Sequence, residues 1–376
     1  NHFSCAGCHE HEGRAQPPAG PDDPLEGLIV RISVPGRDVD GGPKPHPAYG
    51  HQLATLALEG IEPEADIAVH WVEQSDAYPD GTRYSLRRPR MVMRKTHYGP
   101  IGDEALLSPR IAPQIIGVGL LELIPEADIR AAADPDDVDG DGISGRVNQV
   151  HDLTTGHTAL GRFGWKASQP TLRQQVATAA VHDLGMTNAL FPHEQLSDRQ
   201  ATLNDGLSGA ASEGDYELLP HFLDRLEFYA QTLGVPQRRN IDDPAVRRGE
   251  QLFTDIGCAA CHTPTQRTGT HPRAAVLSGQ TIHPYTDLLL HDMGEGLADG
   301  RPDHLADGRE WRTPPLWGIG LLEAVNGHTF LLHDGRARDI EEAILWHGGE
   351  GENAQKQFRH LPADDRAAVI AFIKSL

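Results

Sequence analysis

The chain has 376 residues, 38% of them hydrophobic, enough to build the cores of two or three domains of ordinary size. Acidic residues outnumber basic ones 54 to 33, and the net charge of -21 argues against a nucleic-acid partner and for a soluble partner carrying positive charge. No apolar run approaches the length of a membrane span.

Cys5-Ala6-Gly7-Cys8-His9 stands near the start, and Cys258-Ala259-Ala260-Cys261-His262 repeats it in the second half. Two thiols about one helical turn apart, followed by His, form the attachment pattern of haem c. Each thiol can form a thioether to a porphyrin vinyl group, and the adjacent imidazole meets the iron. One copy alone could be a disulfide or half a zinc site. Two copies use all 4 cysteines and point to two covalent haems. Thiol redox chemistry would need the same thiols free. Haem c is attached outside the cytoplasm, so the protein is expected to be periplasmic or otherwise exported. A signal peptide and some N-terminal sequence are expected to precede the first residue, because Cys5 follows it so closely.

Gln16 to Pro24 reads as loop, and Leu28 to Val34 as a strand. Ile67 to Val72 and Met91 to Met93 read as further strands, separated by the turn signals Pro79-Asp80-Gly81 and Arg88-Pro89. Residues 25–98 are therefore expected to form a β-rich insertion. Arg83, Arg87, Arg88 and Arg90 could reach haem propionates, although a solvated strand face is the plainer reading.

Arg110 to Glu122 has a near copy in Trp311 to Glu323: Pro113 pairs with Pro314, and Gly117-x-Gly119-Leu-Leu-Glu with Gly318-x-Gly320-Leu-Leu-Glu. Each copy follows one C-x-x-C-H, which predicts an internal duplication. Between the copies, Asp137, Asp139 and Asp141 fall at positions one, three and five of a calcium-loop pattern, with Ile143 offering its carbonyl at position seven. Position twelve is Asn148 rather than Glu, so calcium and a plain acidic turn stay open as readings of the loop 136–148.

Helices are predicted from about Thr171 to Val181 and over 215–233, the second with Leu218, Leu219, Phe222, Leu226, Tyr229 and Leu233 on one stripe. Gly234 to Asp242 reads as a linker. Asp243-Pro244 begins a helix that ends near Phe253 and leads into Cys258, and a last helix runs from about Ala363 to Leu376. Asp339 to Gly349 holds a short helix with Ile340, Ala343, Ile344 and His347 on one face. His347 is either a hydrogen-bonded core histidine or the second ligand of the second haem, with Met293 as the rival ligand.

The expected architecture is mainly α: two class I cytochrome c-like domains related by internal duplication, the first carrying the β-rich insertion. The N-terminal haem c domain would span 1–234 and the C-terminal one 235–376.

Tyr84 to Arg90, the Arg110 to Glu122 segment, Asp139 to Arg146, Phe163-Gly164-Trp165-Lys166-Ala167, Tyr285-Thr286-Asp287 and His333-Asp334-Gly335-Arg336 span nearly the whole chain. On these stretches it resembles the bacterial di-haem cytochrome c peroxidase and MauG superfamily. Within it, the chain closely resembles di-haem oxidoreductases described as peroxidases or "thiol oxidoreductases". The resemblance implies that His347 is the distal ligand of the second haem, giving bis-His ligation by His262 and His347. Applied to the first half, it puts Ala179 opposite that position, which leaves the haem of Cys5, Cys8 and His9 open to a small oxidant. It also implies an electron-relay role for Trp165 and an active-site role for Gln175. The family's acid-base Glu falls on Gly185. His182 and Asp183 are the candidates to replace it, and His182 is also a candidate ligand of the first iron.

The expected function is that of an exported, peroxidase-like di-haem c oxidoreductase. It would reduce peroxide or another small oxidant with electrons from a small soluble carrier of cytochrome c or cupredoxin type. The alternatives are a pure electron-transfer cytochrome and MauG-like oxidation of a protein or metal-ion partner.

Overall fold

The structure is a computed structural model that describes residues 4–57, 61–203 and 216–376. Its longest strands are Ala65–Ala77 and Arg83–Thr96, an antiparallel ribbon paired from Ala77↔Arg83 back to Ala65↔Thr96. β-Branched and aromatic residues favour this extended form, and Gly81, at φ 87°, takes the left-handed position that closes the turn. A two-stranded ribbon is marginal by itself. Here it buries Ile67, Val69 and Leu86 in a core shared with residues from both ends of the chain.

Strand Leu28–Arg37 pairs antiparallel with Leu106–Ile111, from Leu28↔Ile111 to Ser33↔Leu106, and the short strand Gln52–Leu53 lies along its other edge. Leu28, Val30 and Ile32 point into the core at 2%, 0% and 0% exposure. The alternate residues put Arg31, Gln52, Ser108 and Arg110 on the opposite face, since side chains switch sides at every step along a strand. That polar face turns toward the end of helix Leu172–Leu184, where the Gln52 amide donates to the His182 carbonyl at 2.9 Å.

Helix Pro244–Asp255 starts as its sequence requires: the Asp243 carboxylate accepts from the Ala245 amide at 2.7 Å, and Pro244 fills the first turn. It packs closely on helix Ala363–Ser375, where a Cβ at Gly249 would lie 1.9 Å from the Ala368 carbonyl oxygen. Phe253, Phe372 and Val369 fill the seam at 2% exposure or less. Burying each such side chain stabilises the fold by about 1.5–3 kcal/mol.

The mainly α expectation is wrong. The chain is 30% helix and 22% strand, arranged with several small antiparallel sheets, and a duplicated cytochrome c fold is not shown. The two glycine-rich segments do make similar local contacts. Gly117 N–H donates to the Leu233 carbonyl and Gly318 N–H to the Leu376 carbonyl, and both glycines have left-handed φ, at 68° and 73°. That likeness is local. The strands pair across long loops, and 28 prolines and 40 glycines keep most helices short.

The helix predicted over 215–233 forms as Pro220–Thr232, and residue 215 lies outside the described residues. Its predicted apolar stripe is largely exposed: Phe222 is 46% and Tyr229 48% accessible, while Leu223 and Ala230 are buried. Among the described residues no helix is long and apolar enough to cross a membrane.

Candidate functional site

Gly257, at φ 91°, ends the approach from helix Pro244–Asp255 and turns the chain into Cys258–Ala260 and His262. The His262 Nδ1 donates to the Tyr285 carbonyl at 2.9 Å. His347 follows helix Ile340–Leu345, and its Nδ1 donates to the Ala343 carbonyl at 2.7 Å. A carbonyl can only accept, so both protons are fixed on Nδ1 and both Nε2 lone pairs are left to bind a metal. The two rings face one another with centroids 6.5 Å apart. That separation leaves room for a metal ion held by both imidazoles. Burial pushes His262 down to about 4 and His347 below its ordinary value, so both are neutral imidazoles, the form that ligates.

Between these rings lies a mainly apolar cavity of about 320 Å³, lined among others by Cys258, Cys261, Met293, Leu316 and Ile344. All 4 cysteines are unbridged thiols. Burial pushes Cys258 up to about 12 and Cys8 up to about 11, which makes them poor thiolate nucleophiles. A greasy slot, two opposed neutral imidazoles and two inert thiols at its edge fit a covalently held haem. They do not fit thiol exchange. Met293 lines the same cavity, but it is His347 that faces His262.

The first motif forms the short helix Cys5–Cys8, capped by the Ser4 hydroxyl accepting from Gly7 N–H at 3.2 Å. Burial lowers His9 and raises Cys5 and Cys8, and all three feel the negative charge of Asp183. Asp183 and His182 lie at the end of helix Leu172–Leu184, on the face that also carries Gln175 and Ala179. The Gln52 amide bridges the His182 carbonyl and the Asp183 carboxylate, at 2.9 and 2.7 Å. The Gln175 Oε1 is buried without a hydrogen-bond partner. The His182 ring stands edge-on to His51 at 5.9 Å and to Phe191 at 5.8 Å. Burial, Arg31 and His51 hold His182 well below its ordinary value.

His51 and Arg31 were not singled out from the sequence. Neither belongs to a motif, and only the strand register puts them beside His182. Gly185 has a structural reason to be glycine: it closes the helix at φ 69°, where a Glu would be strained.

Trp165 is buried against the cavity that holds His262, and its Nε1 donates to the Ile111 carbonyl at 2.8 Å. Its ring meets His333 edge-on at 6.5 Å, and His333 stacks flat on Trp311 at 3.7 Å. The loop carrying Trp165 is tightly closed, since a Cβ at Gly161 would lie 1.8 Å from the Ala167 carbonyl oxygen. The next residue, Lys166, is completely buried and donates to the Asp299 carboxylate and to the carbonyls of Arg301 and Asp307.

The acidic loop groups its carboxylates differently from the predicted pattern. Asp137 and Asp139 approach Asp134, all three within 4.8 Å, while Asp141 instead caps the Ile143 amide at 2.8 Å. Asn148, the twelfth position, turns into the core and donates to the Lys166 and Asp303 carbonyls. Of the four strand arginines, Arg83, Arg88 and Arg90 are exposed. Arg87 is sandwiched by Trp71 and Phe330 at 4.0 and 4.9 Å and donates to backbone carbonyls.

The sequence model of the family described as "Di-haem oxidoreductase, putative peroxidase" matches residues 1–376. Among solved structures, the chain has a likeness to hydrazine synthase of Kuenenia stuttgartiensis, solved under 20 bar xenon, at 20% identity and a TM-score of 0.28. That match covers 48% of this chain and 62% of the other, and a score so low supports no inference of fold. Curated proteins give no match.

Proposed function

Because the chain belongs to the di-haem oxidoreductase family across its whole length, we propose that it is an exported, peroxidase-like enzyme with two covalent haems. Cys5, Cys8 and His9 would hold the first haem, and Cys258, Cys261, His262 and His347 the second. When bound, haem supplies an iron that accepts electrons and delivers them to a peroxide or another small oxidant.

The observation that carries this reading is the opposed pair His262 and His347, with ring centroids 6.5 Å apart. It supports a second site closed on both sides by imidazole, suited to electron transfer rather than to substrate. The corresponding helix beside the first site offers Gln175, Ala179, His182 and Asp183 instead. Gln175, with its buried unpartnered oxygen, would orient the oxidant. His182 and Asp183 would be the groups that move a proton there, with the Gln52 amide tying the His182 carbonyl to the Asp183 carboxylate. Trp165, on its closed loop beside the second cavity, would carry electrons between the sites. The net charge of -21 fits a small basic carrier as the donor.

The test is the electronic spectrum of the oxidised and the half-reduced protein, with peroxide added to each. A high-spin first haem in either form that responds to peroxide is the expected result. The charge that Asp183, next to His182, exerts on the first motif favours one second reading: His182 binds the first iron and the protein is an electron relay. Two low-spin haems in both forms, unresponsive to peroxide, would establish that reading instead.

A further inference from the structure

Two guanidinium groups in the cavity of the second site have no anion. Arg14 and Arg312 both line it, and both are more than nine-tenths buried, at 7% and 8% exposure. Their hydrogen bonds go to neutral carbonyls. Arg14 Nη1 donates to Leu332 at 3.1 Å, while Arg312 Nε donates to Gly164 at 3.0 Å and its Nη1 to Thr313 at 3.0 Å. Arg14 Nε is buried with no partner at all. Among the described residues neither arginine has a carboxylate within 4 Å, whereas the buried Arg336 pairs with Asp334 and Arg110 with Asp303.

A fully buried, unneutralised guanidinium is costly, and two beside one cavity are costlier still. Burial pulls both down to about 10; only Arg312 feels a compensating carboxylate, Asp287, which is itself paired with His291 at 2.8 Å. The carboxylates at the cavity rim cannot supply it. Glu350 is committed to His291 at 2.6 Å, and the exposed Asp141 to the Ile143 amide.

The arginines are held in place by backbone rather than by each other. Arg14 N–H donates to the Asn326 side chain at 3.2 Å, and its guanidinium lies over Trp165 at 5.3 Å. Arg312 N–H donates to the Trp165 carbonyl at 2.9 Å. Both are therefore registered on the same tryptophan. The complement to this arrangement is a ligand with an apolar body that fills the slot and two carboxylates that meet two guanidiniums.

We propose that Arg14 and Arg312 bind the two propionate carboxylates of the haem carried by Cys258 and Cys261. This rests on the assignment of haem to that cavity made above. Arg14 lies six residues after Cys8, so the polypeptide of the first site supplies a contact to the second haem.

The test uses the di-haem holoprotein, with haem carboxylates labelled by growth on carboxyl-¹³C aminolevulinate. Redox-difference infrared spectra are recorded while the bis-His haem titrates. In the unmodified protein the labelled bands should be those of ionised, paired carboxylates and should not move across the neutral pH range. Arg14→Lys and Arg312→Lys should each shift one set of bands. Arg14→Gln and Arg312→Gln should in addition lower the midpoint potential of that haem, with the Lys variants closer to the parent. Protonated or freely titrating propionates in the unmodified protein would overturn the proposal even if no variant folds. Bands unchanged in both Lys variants would overturn it as well. Absence of haem from Cys258 and Cys261, by haemochrome assay and peptide mass, would overturn the haem assignment along with it.

Discussion

His262 and His347 face one another across the cavity, each imidazole fixed through Nδ1 to a backbone carbonyl, that of Tyr285 at 2.9 Å and that of Ala343 at 2.7 Å. Hydrogen bonding at Nδ1 leaves the Nε2 lone pair of each ring available to a metal. On the proposed function, replacing either ring should remove one ligand of the second haem while leaving Cys258 and Cys261 in place.

His347→Ala is expected to convert one of the two haems from low to high spin, and added imidazole should restore the low-spin spectrum. The electronic and electron paramagnetic resonance spectra of the oxidised variant check this. An unchanged spectrum would make Met293, which lines the same cavity, the ligand.

Trp165→Phe keeps an aromatic ring at the position, though a smaller one, and removes the Nε1 bond to Ile111. It should slow electron passage from the second haem to the first by one or more orders of magnitude and leave both haem spectra as they are. Stopped-flow oxidation of the half-reduced protein by peroxide reads this out.

Lys166→Met should be strongly destabilising, by about 3–5 kcal/mol, because it strips the cation from a buried cluster and leaves Asp299 underpaired. Arg110 lies 3.8 Å from the same carboxylate, too far to replace the 2.8 Å contact. Denaturant unfolding of the holoprotein measures the loss.

Glu64 supplies a pH dependence whose sign can be worked out. Burial pushes it up to about 7, against the pull of the Ala54 amide and Gln200. A carboxyl raised in the fold favours folding in its protonated form. Its contribution is complete below about 4.5 and is lost as pH rises through about 7, by about 3 kcal/mol at most. Glu64→Gln should flatten the stability profile over that interval, as followed by thermal unfolding at a series of pH values.

Much of the site could be read from the residues before any coordinates. Both C-x-x-C-H motifs, the capped start at Asp243-Pro244, and the short amphipathic helix leading to His347 are local patterns, and local patterns survive folding. The ribbon was also legible, since Pro79-Asp80-Gly81 sits between two β-rich runs. The overall architecture is not legible in the sequence, because its helices and haem motifs are local patterns while its strands find partners far along the chain. Leu28–Arg37 finds Leu106–Ile111 only after more than sixty intervening residues, and no periodicity announces that pairing. Arg14, Arg31 and His51 were missed for the same reason. In sequence they look like solvated loop and strand residues, and only long-range packing buries them. The stripe predicted over 215–233 errs in the opposite direction, because a helical period says that one face is apolar but not that something covers it.

The closed loop around Trp165 has a consequence for anyone altering this protein. Position 161 admits no residue larger than glycine, because the Ala167 carbonyl already occupies the place of a first side-chain carbon. The indole is mounted as if on a fixed bracket, so libraries aimed at changing the current through it should vary the ring and its neighbours and leave the bracket alone.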